Sequence, residues 1–354
     1  MNTRKYDLDH LRYFIVLLVV FYHVFYLLNS VGVISNIDVQ GIPQLDVVEY
    51  FIYPWFMICM FVIAGISARY ALQKKTGKQF LKDRTKKLLL PSLGVVFLIG
   101  WIAGYVTGQY SHFFDQIPIP DNFLFHYLFY CLNGIGPMWF VQELFLATVV
   151  LLIIRKLDKK ERLTVLAEKV TFPILLLLVI PIWGSSMILN TPLITVYRNG
   201  IYLFTFLLGY YVLSLERIME QIERAALYLL SVAIILGVIF TVTYWGQNYT
   251  ESTVLTSLLT NCYAWSMTLA LLGCFRKWFS ADSSFSRYMR TRSFPFYVLH
   301  IPILVLSAYL LDQYTRLPVW SFYPFLLLIV SILLPVLTEI LTRIPVVKTL
   351  LFGL

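Results

Sequence analysis

Runs of about 20 apolar residues, each long enough to cross the ~30 Å hydrocarbon layer of a bilayer, constrain this fold more than any other feature. With 59% apolar and only 13% charged residues, a water-soluble domain could not bury so much apolar surface. The fifth run is the weakest, because Pro173, Pro181 and Gly184 interrupt it. The ten expected spans are 13–30, 47–72, 88–107, 137–154, 171–190, 197–214, 225–244, 253–275, 293–311 and 320–342.

The distribution of Lys and Arg tests this number of spans. If the N-terminus is cytoplasmic, all but two of the 28 basic residues fall in inner segments, and the two exceptions are Arg198 and Arg316. This is the positive-inside pattern, which an odd number of spans would destroy. We therefore expect an all-α polytopic membrane helical bundle of about ten transmembrane helices. Both termini are expected in the cytoplasm, and residues 1–354 are expected to form a single domain.

The rest of the composition narrows the possible partners. The net charge of +9 follows from the topology, and the basic segments lack the aromatic or groove-reading motifs of a nucleic-acid binder. A lipid bilayer is the expected environment, and no nucleic-acid partner is expected. The four cysteines have no paired metal-type spacing, so neither a metal site nor a disulfide framework is predicted. The first apolar run lacks a cleavage site and should remain as an anchor.

Arg12 and His23 lie eleven positions apart on the first span. This spacing returns nearly to the same helix face, about 16 Å further along. An ionisable group at mid-membrane costs about 2–3 kcal/mol, so His23 is expected to face protein or water rather than lipid. The alternative is structural, with Arg12 as a snorkelling anchor and His23 as a hydrogen-bonded packing residue.

A second basic pair, Arg84 and Lys87, precedes the third span within residues 78–91. Side chains three positions apart on an α-helix share a face, so both cations can bind one anionic ligand. The alternative is that they only mark the cytoplasmic side of the membrane, where basic residues accumulate anyway.

Polar residues also interrupt two later spans. Trp139 and Glu143 lie one turn apart on the fourth span, where Glu143 can serve as an acid, a proton acceptor, a partner for a buried cation or a contact to headgroups. On the ninth span, His300 and Tyr297 belong to one polar stripe, and His300 lies at a depth similar to that of His23. Two histidines at one level predict a shared cavity, although a helix–helix hydrogen-bond network is the alternative.

Five motifs, in order along the chain, resemble those of the integral-membrane acyltransferase-3 family. They are DLDHLRYFIVLLVVFYH, FMICMFVIAGISARYAL, RTKKLLLP, MWFVQELFL and SFPFYVLHIP. The third motif departs from the family pattern, since Lys87 replaces a second arginine and thereby keeps the charge but loses bidentate geometry. The chain looks closest to the glucan succinyltransferase-like branch, without a C-terminal esterase-like domain.

This resemblance implies a membrane O-acyltransferase. The enzyme would move an acyl group of the acetyl or succinyl class from cytoplasmic acyl-CoA to a hydroxyl of an extracytoplasmic glycan, lipid or other cell-envelope molecule. Acyl-CoA is the donor substrate, no tightly bound cofactor is expected, and the expected location is a bacterial cytoplasmic membrane. The chain is expected either to acylate the acceptor itself or to pass the group to a separate protein. The oligomeric state stays open, with a homodimer as one alternative.

The resemblance and the residue chemistry together suggest how the donor is used. Arg12, Arg84 and Lys87 are the expected ligands of the CoA phosphates. His23 is the expected general base, because a neutral imidazole can accept a proton from a hydroxyl and return it to a thiolate. An acyl-histidine intermediate is an open alternative.

The remaining roles concern the acceptor and the developing oxyanion. Glu143 is expected to orient the acceptor or the imidazole, and Trp139 to bound the acceptor cavity. Tyr297 and His300 are expected to donate to the oxyanion. The competing function is a proton-coupled membrane transporter or exporter of an envelope metabolite, in which the same residues form a relay. A membrane sensor with inert histidines is the third alternative.

Overall fold

The computed structural model describes residues 5–111, 122–191 and 196–354, and its regular structure is almost entirely helical. In chain order the helices are α1 (Tyr6–Leu27), α2 (Val47–Leu72), α3 (Gly77–Arg84), α4 (Leu90–Val95), α5 (Trp101–Ser111), α6 (Phe123–Asn133), α7 (Met138–Leu157), α8 (Arg162–Glu168), α9 (Phe172–Leu177), α10 (Val179–Ser186), α11 (Asn199–Tyr211), α12 (Glu216–Arg224), α13 (Ala226–Tyr244), α14 (Ser252–Leu255), α15 (Leu258–Trp278), α16 (Ser284–Tyr314), α17 (Val319–Leu341) and α18 (Pro345–Phe352). A 3₁₀ turn (Pro43–Asp46) precedes α2, and π-helical turns (Thr85–Leu89 and Val96–Gly100) flank α4. Within the described residues, β pairing is limited to one antiparallel bridge between Asn190 and Arg198.

The helices have the lengths and apolar character that the sequence predicts. Eight helical runs can each cross a membrane, and two bent helix pairs raise the number to ten. The eight runs are Tyr6–Leu27, Pro43–Leu72, Gly77–Ser111, Met138–Leu157, Ala226–Tyr244, Leu258–Trp278, Ser284–Tyr314 and Val319–Leu341. The all-α polytopic membrane fold is thus confirmed, whereas the cytoplasmic location of the termini stays a prediction from charge.

The two bent pairs correspond to the fifth and sixth expected spans. The chain bends by 115° between α8 and the α9–α10 run, and by 103° between α11 and α12. Proline explains the interruptions of the fifth span. Pro173 begins the first turn of α9, where its missing N–H is tolerated, whereas Pro181 cannot donate to the carbonyl of Leu177, the residue at which α9 ends.

The chain groups into two compact units. Unit 1 contains Met1–Ile15, Tyr50–Arg84 and Glu143–Arg290. Unit 2 contains Val16–Glu49, Thr85–Gln142 and Thr291–Leu354. Each unit is thus assembled from separated stretches of sequence, and the expectation of a single domain over the whole chain stays a prediction.

In unit 1, α2 and α11 pack backbone to backbone through glycine. A Cβ atom on Gly65 would lie 2.0 Å from the carbonyl oxygen of Phe206, and one on Gly209 would lie 2.3 Å from that of Val62. Any larger residue would force the helices apart, which is why small residues occur where membrane helices approach closely. This contact fixes the register between the polar side chains of α2 and those of α11.

In unit 2, α6 runs back along α5. A Cβ atom on Gly104 would lie 1.9 Å from the carbonyl oxygen of Tyr130, and one on Gly134 would lie 1.7 Å from that of Gly100. The 11 residues of α6 cover only about 16 Å, too little to span the bilayer. α6 is therefore too short to be a span of its own, and the sequence interpretation did not predict this helix.

The last helix of unit 2, α18, packs against α4 and the first π-helical turn. A Cβ atom on Gly94 of α4 would lie 2.1 Å from the carbonyl oxygen of Leu350. Gly353 ends α18 in the left-handed conformation, with a φ of 62°, and a Cβ atom there would lie 2.8 Å from the carbonyl oxygen of Lys86. The C-terminal helix therefore holds the backbone of the turn that carries Lys86 and Lys87.

Candidate active site

The histidines expected to lie at one depth are in direct contact in unit 2. The imidazole rings of His23, on α1, and His300, on α16, meet edge to face with their centroids 4.8 Å apart. The two histidines are 277 positions apart in the sequence (23 and 300), so this contact depends on the packing of α1 against α16. The structure thus brings together the two residues that the sequence placed in a shared cavity.

Backbone carbonyls fix the protonation pattern of both rings. The Nδ1 atom of His23 lies 2.7 Å from the carbonyl oxygen of Val19, and the Nδ1 atom of His300 lies 2.7 Å from that of Tyr297. A carbonyl oxygen can only accept, so each Nδ1 carries the proton of the neutral ring. Each Nε2 atom is then a lone-pair acceptor, which is the form that a general base requires.

The two histidines differ in their access to the surroundings. His300 is completely buried, and its Nε2 atom has no hydrogen-bond partner among the described residues. His23 is only partly buried. His300 packs against the ring of the more exposed of the two histidines.

Tyr297 connects the histidine pair to the start of α7. Its hydroxyl donates a hydrogen bond of 2.5 Å to the carbonyl oxygen of Pro137, and its ring contacts Phe140 edge to face. This carbonyl precedes the first turn of α7, where a break in the helix leaves backbone groups to be satisfied by other parts of the protein. The hydroxyl proton of Tyr297 is used in that bond, so donation to an oxyanion would require the bond to break.

Trp139 lies in the first turn of α7, next to Phe140, and is half-buried. Its indole is therefore neither a fully packed core side chain nor a free surface one.

Two of the expected CoA ligands, Arg12 and Arg84, belong to unit 1. The guanidinium of Arg12 donates to Asp9 at 3.2 Å and to the hydroxyl of Ser67 on α2 at 2.9 Å. Arg84 packs over the ring of Phe80 at 4.9 Å, and its charge interacts repulsively with that of Arg12. An anion that bound both guanidiniums would neutralise two positive charges that otherwise repel each other.

Lys87 belongs to a different local structure. It lies in the π-helical turn Thr85–Leu89, just after Arg84 ends α3, and it is exposed whereas Arg84 is half-buried. The turn precedes Pro91, which has no N–H for the carbonyl of Lys87, and the wider helical turn accommodates that loss. The α-helical spacing from which a shared face was expected therefore does not describe this segment.

Glu143 is buried on α7 in unit 1, with 5% of its surface exposed. Within the described residues its carboxylate has no hydrogen bond or ion pair, although its charge reaches the hydroxyls of Tyr197 and Tyr202. Burying a carboxylate without a partner is costly, and proteins keep such groups mainly at ligand-binding and proton-transfer sites. No group of three or more potential metal ligands occurs in the described part of the chain.

The sequence interpretation missed the residues around Glu143. Arg198 is 6% exposed, Tyr202 is 5% exposed, and both lie with Tyr53 in unit 1. Arg198 carried a usable signal, since it is one of two basic residues outside the predicted inner segments. The tyrosines carried none, because the chain has 24 of them.

The fold and these side chains define a multi-pass membrane protein with two contacting histidines in unit 2 and with Arg12 and Arg84 in unit 1. Residues 5–339 match the model of the acyltransferase-3 family, described as an acyltransferase domain. The chain therefore belongs to the acyltransferase-3 family and is an acyltransferase that transfers groups other than amino-acyl groups. A comparison with curated proteins and one with solved structures each gave no match. The resemblance stated from the motifs is confirmed, and the branch within the family stays a prediction.

Proposed function

We propose that this enzyme transfers an acetyl- or succinyl-class group from cytoplasmic acyl-CoA to a hydroxyl of an extracytoplasmic glycan, lipid or other cell-envelope molecule. A bacterial cytoplasmic membrane is the proposed location. The observation that carries the proposal is the pair of imidazole rings in which the Nδ1 atoms of His23 and His300 each bind a backbone carbonyl. This arrangement leaves the Nε2 atom of the more accessible histidine as a proton acceptor.

In the proposed reaction, Nε2 of His23 accepts the proton of the attacking hydroxyl. The hydroxyl oxygen forms a bond to the thioester carbonyl carbon, and the carbon–sulfur bond breaks. The CoA thiolate then takes the proton from the imidazolium, so that the products are the ester and CoA with a free thiol. The fixed Nδ1–H bond to Val19 keeps the ring in the required tautomer throughout.

The donor-binding part of the proposal rests on Arg12 and Arg84. CoA carries phosphates, and a guanidinium binds a phosphate through two parallel hydrogen bonds. Arg12 lies eleven residues before His23 on α1, which corresponds to about 16 Å of helix. The long pantetheine arm of CoA can cover this distance along α1, so we propose that a phosphate binds Arg12 while the thioester reaches His23. Arg84 and the exposed Lys87 are the other proposed phosphate ligands.

The test uses inverted membrane vesicles that contain the full chain, supplied with radiolabelled acetyl-CoA or succinyl-CoA. We expect thioester consumption and transfer of label to envelope material, and we expect both to stop in His23→Ala. His126→Ala, at a histidine of α6, is the matched control. Vesicles that consume neither thioester would overturn the proposal, and pH-gradient-driven export without thioester consumption would favour the transporter.

The same material distinguishes the two chemical roles of His23. If His23 acts as a general base, no acylated protein accumulates when labelled donor is supplied without acceptor. If it acts as a nucleophile, rapid denaturation near neutral pH leaves label on that imidazole, whereas acid would hydrolyse the acyl-imidazole.

A further inference from the structure

The basic turn between α7 and α8, in unit 1, has no part in the proposed chemistry. Between residues 155 and 162 the chain has five basic and two acidic side chains, so the turn is positively charged. A cavity of about 520 Å³ lies beside it, lined by Ile154, Leu157, Asp158, Lys159, Lys160 and Arg162. A cavity of this size can hold a small ligand or the headgroup of a lipid, and its three cations favour an anion.

The acidic side chain in the cavity wall binds the backbone. The carboxylate oxygens of Asp158 accept hydrogen bonds from the N–H groups of Arg162 and Leu163, each at 2.9 Å. These bonds occupy the first N–H groups of α8, so a ligand in the cavity would contact side chains and not the end of a helix. Within the described ranges Asp158 forms no salt bridge with the three cations of the wall, which can therefore bind an external anion.

The other end of α8 is held by Arg217, on α12. Its guanidinium donates to the carbonyl oxygens of Val170 at 2.7 Å, Glu168 at 2.5 Å and Ala167 at 3.2 Å. These bonds satisfy the last carbonyl groups of the helix. Since Asp158 binds the start of α8, both ends of this helix are fixed. The cations beside it therefore project from a fixed backbone, which lowers the entropic cost of holding a ligand.

Exposed apolar side chains lie next to these cations. The chain bends by 115° between α8 and the α9–α10 run, so α8 lies across the axis of that run and not along it. Leu157 is 77% exposed, Leu166 is 63% exposed, and Val165 is also exposed. Such side chains are unfavourable in water, whereas a helix at the membrane surface places them against acyl chains and places its cations among the headgroups. This combination favours a lipid over a soluble anion.

We propose that Lys159, Lys160 and Arg162 bind the phosphate of an anionic phospholipid in the cytoplasmic leaflet, while Leu157 and Leu166 contact its acyl chains. The cytoplasmic side follows from the positive-inside pattern, which predicts that this segment is an inner one. Lysine and arginine both donate charge-assisted hydrogen bonds to phosphate oxygens. None of these side chains belongs to the proposed CoA or acyl-transfer residues, so the inference does not depend on the proposed function.

The experiment is native mass spectrometry of the full chain in detergent, titrated with phosphatidylglycerol or with phosphatidylcholine of the same acyl chains. We expect one phosphatidylglycerol to bind at least tenfold more tightly than phosphatidylcholine. The triple variant Lys159→Gln, Lys160→Gln and Arg162→Gln should weaken phosphatidylglycerol binding at least tenfold and leave phosphatidylcholine binding unchanged. All three side chains are exposed, and the cap on α8 uses only the backbone of Arg162, so the variant should fold.

Two control variants separate this site from a general effect of charge. Lys78→Gln, Lys82→Gln and Arg224→Gln together remove two exposed lysines and one exposed arginine elsewhere in unit 1, and phosphatidylglycerol binding should not change. Lys159→Arg with Lys160→Arg keeps the charge and should also keep the binding. Equal affinity for the two lipids would overturn the inference, and so would equal loss of phosphatidylglycerol binding in the control and the triple variant.

Titration with CoA and with inorganic phosphate tests whether a soluble anion is the ligand. Neither should displace phosphatidylglycerol, and the triple variant should bind CoA as tightly as wild type does. Displacement of the lipid by CoA, or loss of CoA binding in the triple variant, would assign the cations to a soluble phosphate and overturn the inference. Leu157→Ser with Leu166→Ser should weaken phosphatidylglycerol binding, and an unchanged affinity would contradict the acyl-chain contact.

Discussion

The imidazole rings of His23 and His300 lie edge to face, 4.8 Å apart, and both Nδ1 atoms bind backbone carbonyls of their own helices. Each helix therefore orients its own histidine, and the contact between helices brings the two together. The consequence is a pair of neutral rings whose Nε2 atoms are both proton acceptors. Only His23 combines this form with partial exposure.

Replacing His23 by alanine should lower acyl transfer at least about 100-fold, because general-base catalysis contributes roughly 10²–10⁴ to the rate. The protein should remain inserted and should still bind CoA, since the proposed phosphate ligands are Arg12, Arg84 and Lys87. The measurement is CoA thiol release by purified protein, with His126→Ala as the comparison. Full turnover by the alanine variant would contradict the assignment, and loss of the folded protein would support a structural role for His23.

His300 is predicted to be a positioning residue that acts through His23. His300→Phe keeps a ring of similar size but removes both nitrogens, so we expect kcat to fall about tenfold while the KM for the donor stays constant. The acidic limb of the pH–rate profile should also move, because the polar neighbour of His23 is lost. An unchanged pH profile together with normal kcat would show that His300 only fills space.

Arg84→Ala should weaken CoA binding by roughly 10- to 100-fold, since charge-assisted hydrogen bonds contribute about 1.5–3 kcal/mol each. Lys87→Ala should weaken CoA binding by less, because this lysine is exposed and water screens its attraction to a phosphate. Titration with a non-hydrolysable CoA analogue gives both values. Lys78→Ala, an exposed lysine of α3, is the control for charge alone. If wild type and Arg84→Ala bind the CoA analogue equally, the basic residues of this segment only mark the cytoplasmic side of the membrane.

The sequence predicted the number of spans well because the thickness of the bilayer sets the length of every span, and the positive-inside pattern applies to every connecting segment. Even the weakness of the fifth span was visible in Pro173 and Pro181. The sequence could not show where the backbones of two helices come into contact at a glycine. The contact of Gly104 with Tyr130, which folds α6 back on α5, depends on shape rather than on hydropathy.

For the candidate site, the sequence identified side chains whose burial is costly, such as His23 and Glu143. It could not identify their neighbours, because Tyr202 has no property that distinguishes it from the other tyrosines before folding. It also placed Arg84 and Lys87 on one α-helical face, whereas the π-helical turn at Thr85–Leu89 interrupts that regularity. Local deviations from α geometry change which side chains share a face, and the periodicity of a sequence does not reveal where these deviations occur.

The C-terminal helix provides the last prediction. Gly94→Ala should destabilise the protein by about 1–3 kcal/mol, because the new Cβ atom would lie 2.1 Å from the carbonyl oxygen of Leu350 and overpack that contact. Since α18 also holds the backbone of Lys86 through Gly353, we expect CoA binding to weaken in the same variant. Gly184→Ala is the matched control, because a Cβ atom there meets nothing within 4 Å and alanine favours the helix. Thermal unfolding and CoA titration of both variants check the prediction. If Gly94→Ala unfolds at the same temperature as Gly184→Ala, the close approach of α18 to α4 is wrong.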